Sequence, residues 1–285
     1  MAGWLKIGKL HLSPERYVAS FRTYRAAKEV NLENYFQFYG SNVPDTIPCE
    51  SGVRVLGIGS GSGEIDSVIL KRLLQRHNNV YSRVVEPSEE MIGRYKSLVR
   101  EDASLGAVEF DWRQQTAEEY FTTKEDTTFH LIHAIHVLYH VEDLHATLRN
   151  TWEQLADGGC LFIAMQSDKS GWGNMWKTMR ETFIQDDPLN TRLRHSGDVK
   201  QCLDAMAISY VTSEDESHIN VTECLKEDSE TGSLLLDFLT QTPDVSNEPQ
   251  IKSVVQEHIR RNCSVIDGRT LLQSINEIII AFKSG

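Results

Sequence analysis

Two stretches of the chain carry residues whose types and spacing could do chemistry. In "GIGSGSGEID" glycine recurs at Gly59, Gly61 and Gly63, and in "FHLIHAIHVLYHVEDLH" five of the chain's ten histidines gather at His130, His133, His136, His140 and His145. Alternating glycines leave the backbone bare, so a bulky uncharged part of a ligand can lie against the turn. The spacing is not the dinucleotide fingerprint: counting from Gly59, the sixth place holds Glu64 where that fingerprint needs glycine. Glu86, at the end of the following strand pattern, stands where a carboxylate would accept hydrogen bonds from two ribose hydroxyls. The histidines suggest a metal, but only if they converge. On a strand His130 and His136 point to one face and His133 to the other, which keeps the three from meeting at one ion.

The elements that must position these residues follow from periodicity. Residues 14–39 have apolar side chains at helical spacing, with Ser13 as a cap and Pro14 at the first helical position. "VRVLGI" reads as a buried strand running through the glycine turn into a helix that begins near Glu64. "SRVVEPS", "AVEFDW", the run His130–Val137 and "CLFIAMQS" give further strands, alternating with helices over "EEMIGRYKSLVRED" and from Val141 through Leu155, the latter ended by Asp157-Gly158-Gly159. Strands alternating with helices in this way predict an α/β, doubly wound, mostly parallel sheet. Beyond Ser170 come helices over "SGWGNMWKTMRETF", "HSGDVKQCLDAM" and "GSLLLDFLTQT", a strand with its turn over "ISYVTSEDESHINV", and a closing strand, "INEIIIAFK". The carboxyl end of a strand in such a sheet is where ligands bind. That singles out His136 and His140 among the histidines, and Trp172 and Trp176 after the fifth strand. Four residues apart on a helix, the two tryptophans can face one cavity, and aromatic faces attract a cationic amine.

The net charge of -12 disfavours nucleic acid and anionic membranes as partners. No stretch has the length needed to span a bilayer, and the N-terminus lacks the apolar run of a signal peptide. Five scattered cysteines with no Cys-x-x-Cys pair fit reduced thiols better than disulfides or zinc, so the expectation is a soluble, cytoplasmic protein with no metal. A monomer is a separate expectation.

"YVASFR", "LGIGSGSGEID", "VVEPSEEMIGRYKSLV", "IHVLYHVED", "SGWGNMWK", "FIQDD" and "LLLDFLTQT" together resemble the S-adenosylmethionine-dependent methyltransferases, and among them the histamine N-methyltransferases. The resemblance implies a Rossmann-like class I methyltransferase with an added helical substrate-binding region. It implies a single unit over 1–285: a cofactor core at about 52–168 with later strands at about 206–224 and 270–283, and a substrate region from about 10–45, 170–200 and 230–265. It places Gly59, Gly61, Gly63, Glu86, Met91, Thr116, Ala117 and Ile135 on S-adenosyl-L-methionine. Around the substrate it places Tyr17, Phe21, Glu29, His136, Tyr139, His140, Trp172, Trp176, Phe238 and Ser274, with Glu29 gripping an ammonium group after a one-residue deletion that follows Phe21. The family pattern has glutamine at Met91 and at His136, a second tyrosine at His140, and asparagine at Ser274 or its neighbour Gln273. The implied reaction is methylation of a ring nitrogen of a small imidazole amine, histamine first. The methylated ring is cationic and must lose the proton on its other nitrogen, and a neutral His136, a departure from the family's glutamine, is the expected acceptor. Carnosine or histidine as substrate, and a non-catalytic S-adenosylmethionine-binding protein, are the alternatives.

Overall fold

A computed structural model of the chain describes residues 7–47, 52–123, 126–184 and 193–284; Cys49, Met1–Lys6 and the Gln185–Asp187 part of "FIQDD" lie outside the described residues. The contacts divide the chain into two compact units, one of residues 31–165, 199–214 and 277–285, the other of residues 1–30, 166–198 and 215–276.

The larger unit is built on a parallel sheet. Strands β2 (Val53–Ile58), β3 (Val80–Val85), β4 (Val108–Arg113), β5 (Phe129–Ile135) and β6 (Leu155–Gln166) lie in the order β6-β5-β2-β3-β4, and the four neighbouring pairs are all parallel. The chain leaves β2 toward β3 on one side and returns to β5 on the other, so the strand order reverses between β2 and β5. A crevice opens outside the carboxyl ends of strands at such a point. Alternation along β2 feeds two apolar layers. Leu56 and Ile58 pack in one with Ile132, Leu148, Leu161 and Ile163; Val53 and Val55 pack in the other with Tyr39, Ile69, Leu70 and Phe162. Covering helices include α2 (Leu32–Asn42), α3 (Glu64–Leu74), α4 (Glu89–Glu101), α5 (Ala117–Thr122) and α6 (Leu144–Glu153), the last three capped by the side chains of Ser88, Thr116 and Asp143.

The other unit carries α1 (Pro14–Ala27), β1 (Lys28–Glu29), α7 (Gly171–Phe183), α9 (Glu230–Thr240), α10 (Pro249–Asn262) and β8 (Ser264–Ile266). Strand β1 pairs antiparallel with β7 (Tyr210–Asn220), Glu29 lying opposite His218, and β8 pairs antiparallel with the start of β9 (Arg269–Phe282). Helix α8 (Ser196–Ala205) links the units in sequence.

Several boundaries depart from expectation. Ser13 makes no side-chain cap at α1, although Pro14 does occupy its first turn. The helical pattern over 14–39 is broken by β1, which puts Glu29 on a strand and not on a helix. Asp157-Gly158-Gly159 does not end a helix. Strand β6 has already begun at Leu155, and Gly158 supplies a positive φ of 73° inside it. The segment 210–220 is one strand with no turn, and β5 stops at Ile135, leaving His136 and Val137 beyond it. Helices α5 and α10 and strand β8 had no counterpart in the expected order.

Candidate functional site

In the larger unit the strand β2 runs into a turn in which Gly59, Gly61 and Gly63 all take positive φ (63°, 55° and 81°). These are conformations that side chains rarely adopt. Two of the three also have no room for one: a Cβ on Gly59 would lie 2.1 Å from Val137 Cγ2, and one on Gly63 2.1 Å from Tyr95 Cδ2. Gly61 differs, because a Cβ there would meet nothing within 4 Å. Its bare backbone borders open space.

Glu86 follows β3 and is almost buried, at 8 % exposure. One carboxylate oxygen accepts the Gly61 N–H at 2.9 Å and the other the Ser88 N–H at 3.0 Å. The acid therefore ties the turn after β2 to the start of α4, where Ser88 caps the helix by accepting the Met91 N–H. Gly59 to Asp66, with His133 and Ile135 of β5, line a cavity of about 170 Å³ at the crevice. Thr116 and Ala117 start α5, and the Thr116 hydroxyl accepts the Glu119 N–H while Glu119 accepts the Thr116 N–H. Thr116 is thus committed to a capping box.

His136 sits just past β5 with a left-handed backbone (φ 52°), an uncommon state for a residue with a side chain. Its Nε2 lies 2.9 Å from the hydroxyl of fully buried Tyr39, and its Nδ1 3.3 Å from the hydroxyl of Tyr139. Tyr39 was not anticipated. It stands on α2, 97 positions from His136, and no local pattern joins the two. His140 is exposed, and its ring meets that of Tyr139 edge-on at 6.2 Å. His130 accepts the Arg54 N–H at 3.0 Å, and His133 is 1 % exposed. Among the described residues no group of three His, Cys, Asp or Glu side chains could hold a metal ion.

In the other unit the aromatic residues form one cluster. Phe238 meets Tyr24 in a stack at 4.4 Å between ring centroids, Phe21 at 5.6 Å and Tyr17 at 6.2 Å, and Trp172 meets Tyr24 at 5.3 Å and Trp176 at 5.1 Å. Tyr24 is the residue missed. It lies a helical turn beyond Phe21 on α1, so its spacing could have identified it. Both indole N–H groups donate to the Leu239 carbonyl, at 2.9 Å and 2.6 Å, which fixes the two buried rings. Asp237 anchors α9 beside α1 by accepting from Arg16 and from the N–H groups of Asp244 and Val245. Burial raises its carboxyl pKa even so, against the pull of those partners. Glu29 is paired with Arg269 at 2.7 Å. The buried Ser274 hydroxyl donates to Gln166 at 3.0 Å, and Gln166 donates to Ser170, the cap of α7. Ser274 therefore helps to seat the helix that bears both tryptophans.

A parallel sheet with this order, a glycine turn at its point of reversal and an acid after the second strand of the sheet make a Rossmann-like unit of the kind that binds a nucleotide cofactor. Residues 31–203 match the family model described as a methyltransferase domain. Histamine N-methyltransferase of Xenopus tropicalis is 36% identical over 240 residues, 80% of each chain. The Danio rerio enzyme of that name is 31% identical over 281 residues, 93% of this chain and 94% of its own. The chain belongs to the histamine N-methyltransferase family. In fold it is similar to a Bacillus halodurans C-125 protein (TM-score 0.59, 12% identity, 88% of this chain and 100% of that one). The YcgJ protein of Bacillus subtilis is similar too (TM-score 0.57, 16% identity, 89% and 99%).

Proposed function

We propose that this chain transfers a methyl group from S-adenosyl-L-methionine to a ring nitrogen of histamine. The observation that carries this reading is the extent of the match: identity of 31% runs through 93% of the chain. The residues present fit the cofactor. Space for a ligand lies where Gly61 is bare, and the Glu86 carboxylate, already accepting two backbone N–H groups, has lone pairs left for ribose hydroxyls. Gly59, Gly63, Met91, Ala117 and Ile135 complete the assignment, and Thr116 contributes by seating α5.

The cofactor supplies an electrophilic methyl group on a sulfonium. What the protein must supply is alignment, since a neutral imidazole already offers a lone pair and positioning makes the displacement effectively unimolecular. Tyr17, Phe21, Trp172, Trp176 and Phe238 present aromatic faces to a cationic amine, a contact that stabilises by about 1–2 kcal/mol when desolvated. Tyr24 belongs with them. Glu29 takes the ammonium group, in exchange for part of its bond to Arg269. His136 handles the proton that the methylated ring must lose. Buried Tyr39 holds Nε2, so the acceptor is Nδ1, whose longer contact with Tyr139 can open. Tyr139 and His140 border the same position, and Ser274 acts through Gln166 on α7.

No helix among the described residues is long and apolar enough to cross a membrane. Free thiols at Cys160, Cys202, Cys224 and Cys263 suit a reducing compartment, and we place the protein in the cytoplasm as a monomer, to be checked by fractionation and light scattering. Turnover measured with histamine, histidine and carnosine tests the substrate: kcat/KM should be highest for histamine, and a preference for either carboxylate-bearing compound would overturn that choice.

A further inference from the structure

Beneath the glycine turn, three polar side chains from three elements converge over the β2 residue Gly57. A Cβ on Gly57 would lie 2.4 Å from Ser60 Oγ, 2.7 Å from His133 Cε1 and 3.0 Å from Asp66 Oδ2. Only a glycine lets them meet. Asp66 is 3 % exposed and His133 1 %, yet Ser60 Oγ, Asp66 Oδ2 and both ring nitrogens of His133 have no hydrogen-bond partner. Asp66 Oδ2 and His133 Nε2 stand 3.6 Å apart, beyond a hydrogen bond. Burial raises the Asp66 pKa; Ser60 and Tyr95 lie near enough to ease this without either completing a hydrogen bond. Buried polar atoms without partners are rare and costly, and a group of them in the wall of a cavity marks a place where something else supplies the donors.

We propose that Asp66, with Ser60 and His133 beside it, receives the positively charged amino group at the amino-acid end of the cofactor. If the turn holds S-adenosylmethionine, as proposed above, three features select this end of it. The cavity shared by Asp66, His133 and the turn is about 170 Å³, below the roughly 300 Å³ at which pockets for whole drug-sized ligands begin, so it takes part of the cofactor and not all of it. An ammonium group brings three N–H donors, matching the Asp66 carboxylate, the Ser60 hydroxyl and one imidazole nitrogen. A cation also offsets the burden of a carboxylate held out of water, whereas the neutral nucleoside would not. Asp66 carried no signal in the sequence, because an acid in the first turn of a helix is ordinarily a solvated partner of the helix dipole.

The test is calorimetric. Wild-type protein is titrated with S-adenosylhomocysteine, which keeps the amino-acid end, and with 5′-methylthioadenosine, which lacks it; both titrations are repeated with Asp66→Asn. The substitution should weaken S-adenosylhomocysteine by about ten- to hundredfold, the scale of a lost charge-assisted contact, and change methylthioadenosine by less than about threefold. Equal losses for both ligands would show that Asp66 only holds the turn and would overturn the proposal, as would no loss for either. Should the variant fail to fold, the wild type decides alone: the deaminated analogue of S-adenosylhomocysteine should bind about tenfold more weakly than its parent, and equal affinity would overturn the assignment. Failure of the wild type to bind S-adenosylhomocysteine at all would instead remove the cofactor site itself.

Discussion

Replacing Gly61 by alanine separates what the turn does for the fold from the cofactor contact proposed for it. The added Cβ would meet nothing within 4 Å, so no clash opposes it in the protein itself. What remains is the backbone, held at a φ of 55°. An alanine there costs about 1–2 kcal/mol, which for a chain of this size lowers Tm by a few degrees. The Gly61 N–H to Glu86 bond survives, because alanine keeps its N–H. A ligand lying against bare backbone would, however, lose its place to the methyl group, and overlap of that kind costs about 1–3 kcal/mol, or about 5- to 150-fold in affinity. Gly59→Ala and Gly63→Ala make the contrast, since each drives its Cβ into Val137 or Tyr95 and should injure the fold as well. The assay pairs a thermal melt with isothermal titration by S-adenosylhomocysteine. A small drop in Tm with wild-type affinity would refute the claim that the cofactor lies on Gly61.

The other predictions concern the substrate side and pH. His136→Ala should lower kcat by about 10²–10⁴ with little change in cofactor affinity, and parallel losses in both would reduce His136 to a support for the turn beyond β5. Glu29→Gln frees Arg269 from its partner; kcat/KM should fall for histamine and hardly change for imidazole without the side chain, whereas equal losses would mean that Glu29 only joins β1 to Arg269. Burial lowers the Lys28 pKa to about 8, with Asp215 opposing the shift and Arg25 adding to it. The unfolded chain holds this proton up to the ordinary lysine range, so between about pH 8 and that range it binds more protons than the folded chain, and stability rises with pH. The Tm advantage of Lys28→Met over wild type should therefore be largest near pH 7 and shrink toward pH 10, and a constant gap would contradict it.

The stretches that could be read from the sequence are those whose signals are local. The strand, glycine turn and helix from Val53 to Leu74 show in the switch from an apolar run to glycines and then to helical spacing, and all three lie in one continuous segment. The face rule for His130 and His133 depends only on strand period. The pairing of Glu29 with Arg269 was not legible, nor that of His136 with Tyr39, because each joins residues far apart in the chain and the propensities of either segment are blind to the other. A two-residue strand such as β1 has no period at all; its pairing with β7 makes it a strand. Asp157-Gly158-Gly159 carries the marks of a helix stop, and tertiary pairing of β6 with β5 overrode them. Helix α10 is different. Ile251, Val255 and Ile259 recur every four residues behind Pro249, so its signal was present and went unread.

The central claim, methyl transfer from S-adenosylmethionine to an imidazole ring nitrogen, is tested most directly by the product itself. The protein is incubated with histamine and S-adenosylmethionine bearing a deuterated methyl group, and the product is examined by mass spectrometry and NMR. One deuterated methyl on a ring nitrogen of histamine, with one equivalent of S-adenosylhomocysteine formed, is the predicted result. A methyl group on the side-chain amine, or no methylated histamine from protein that binds S-adenosylhomocysteine, would contradict it.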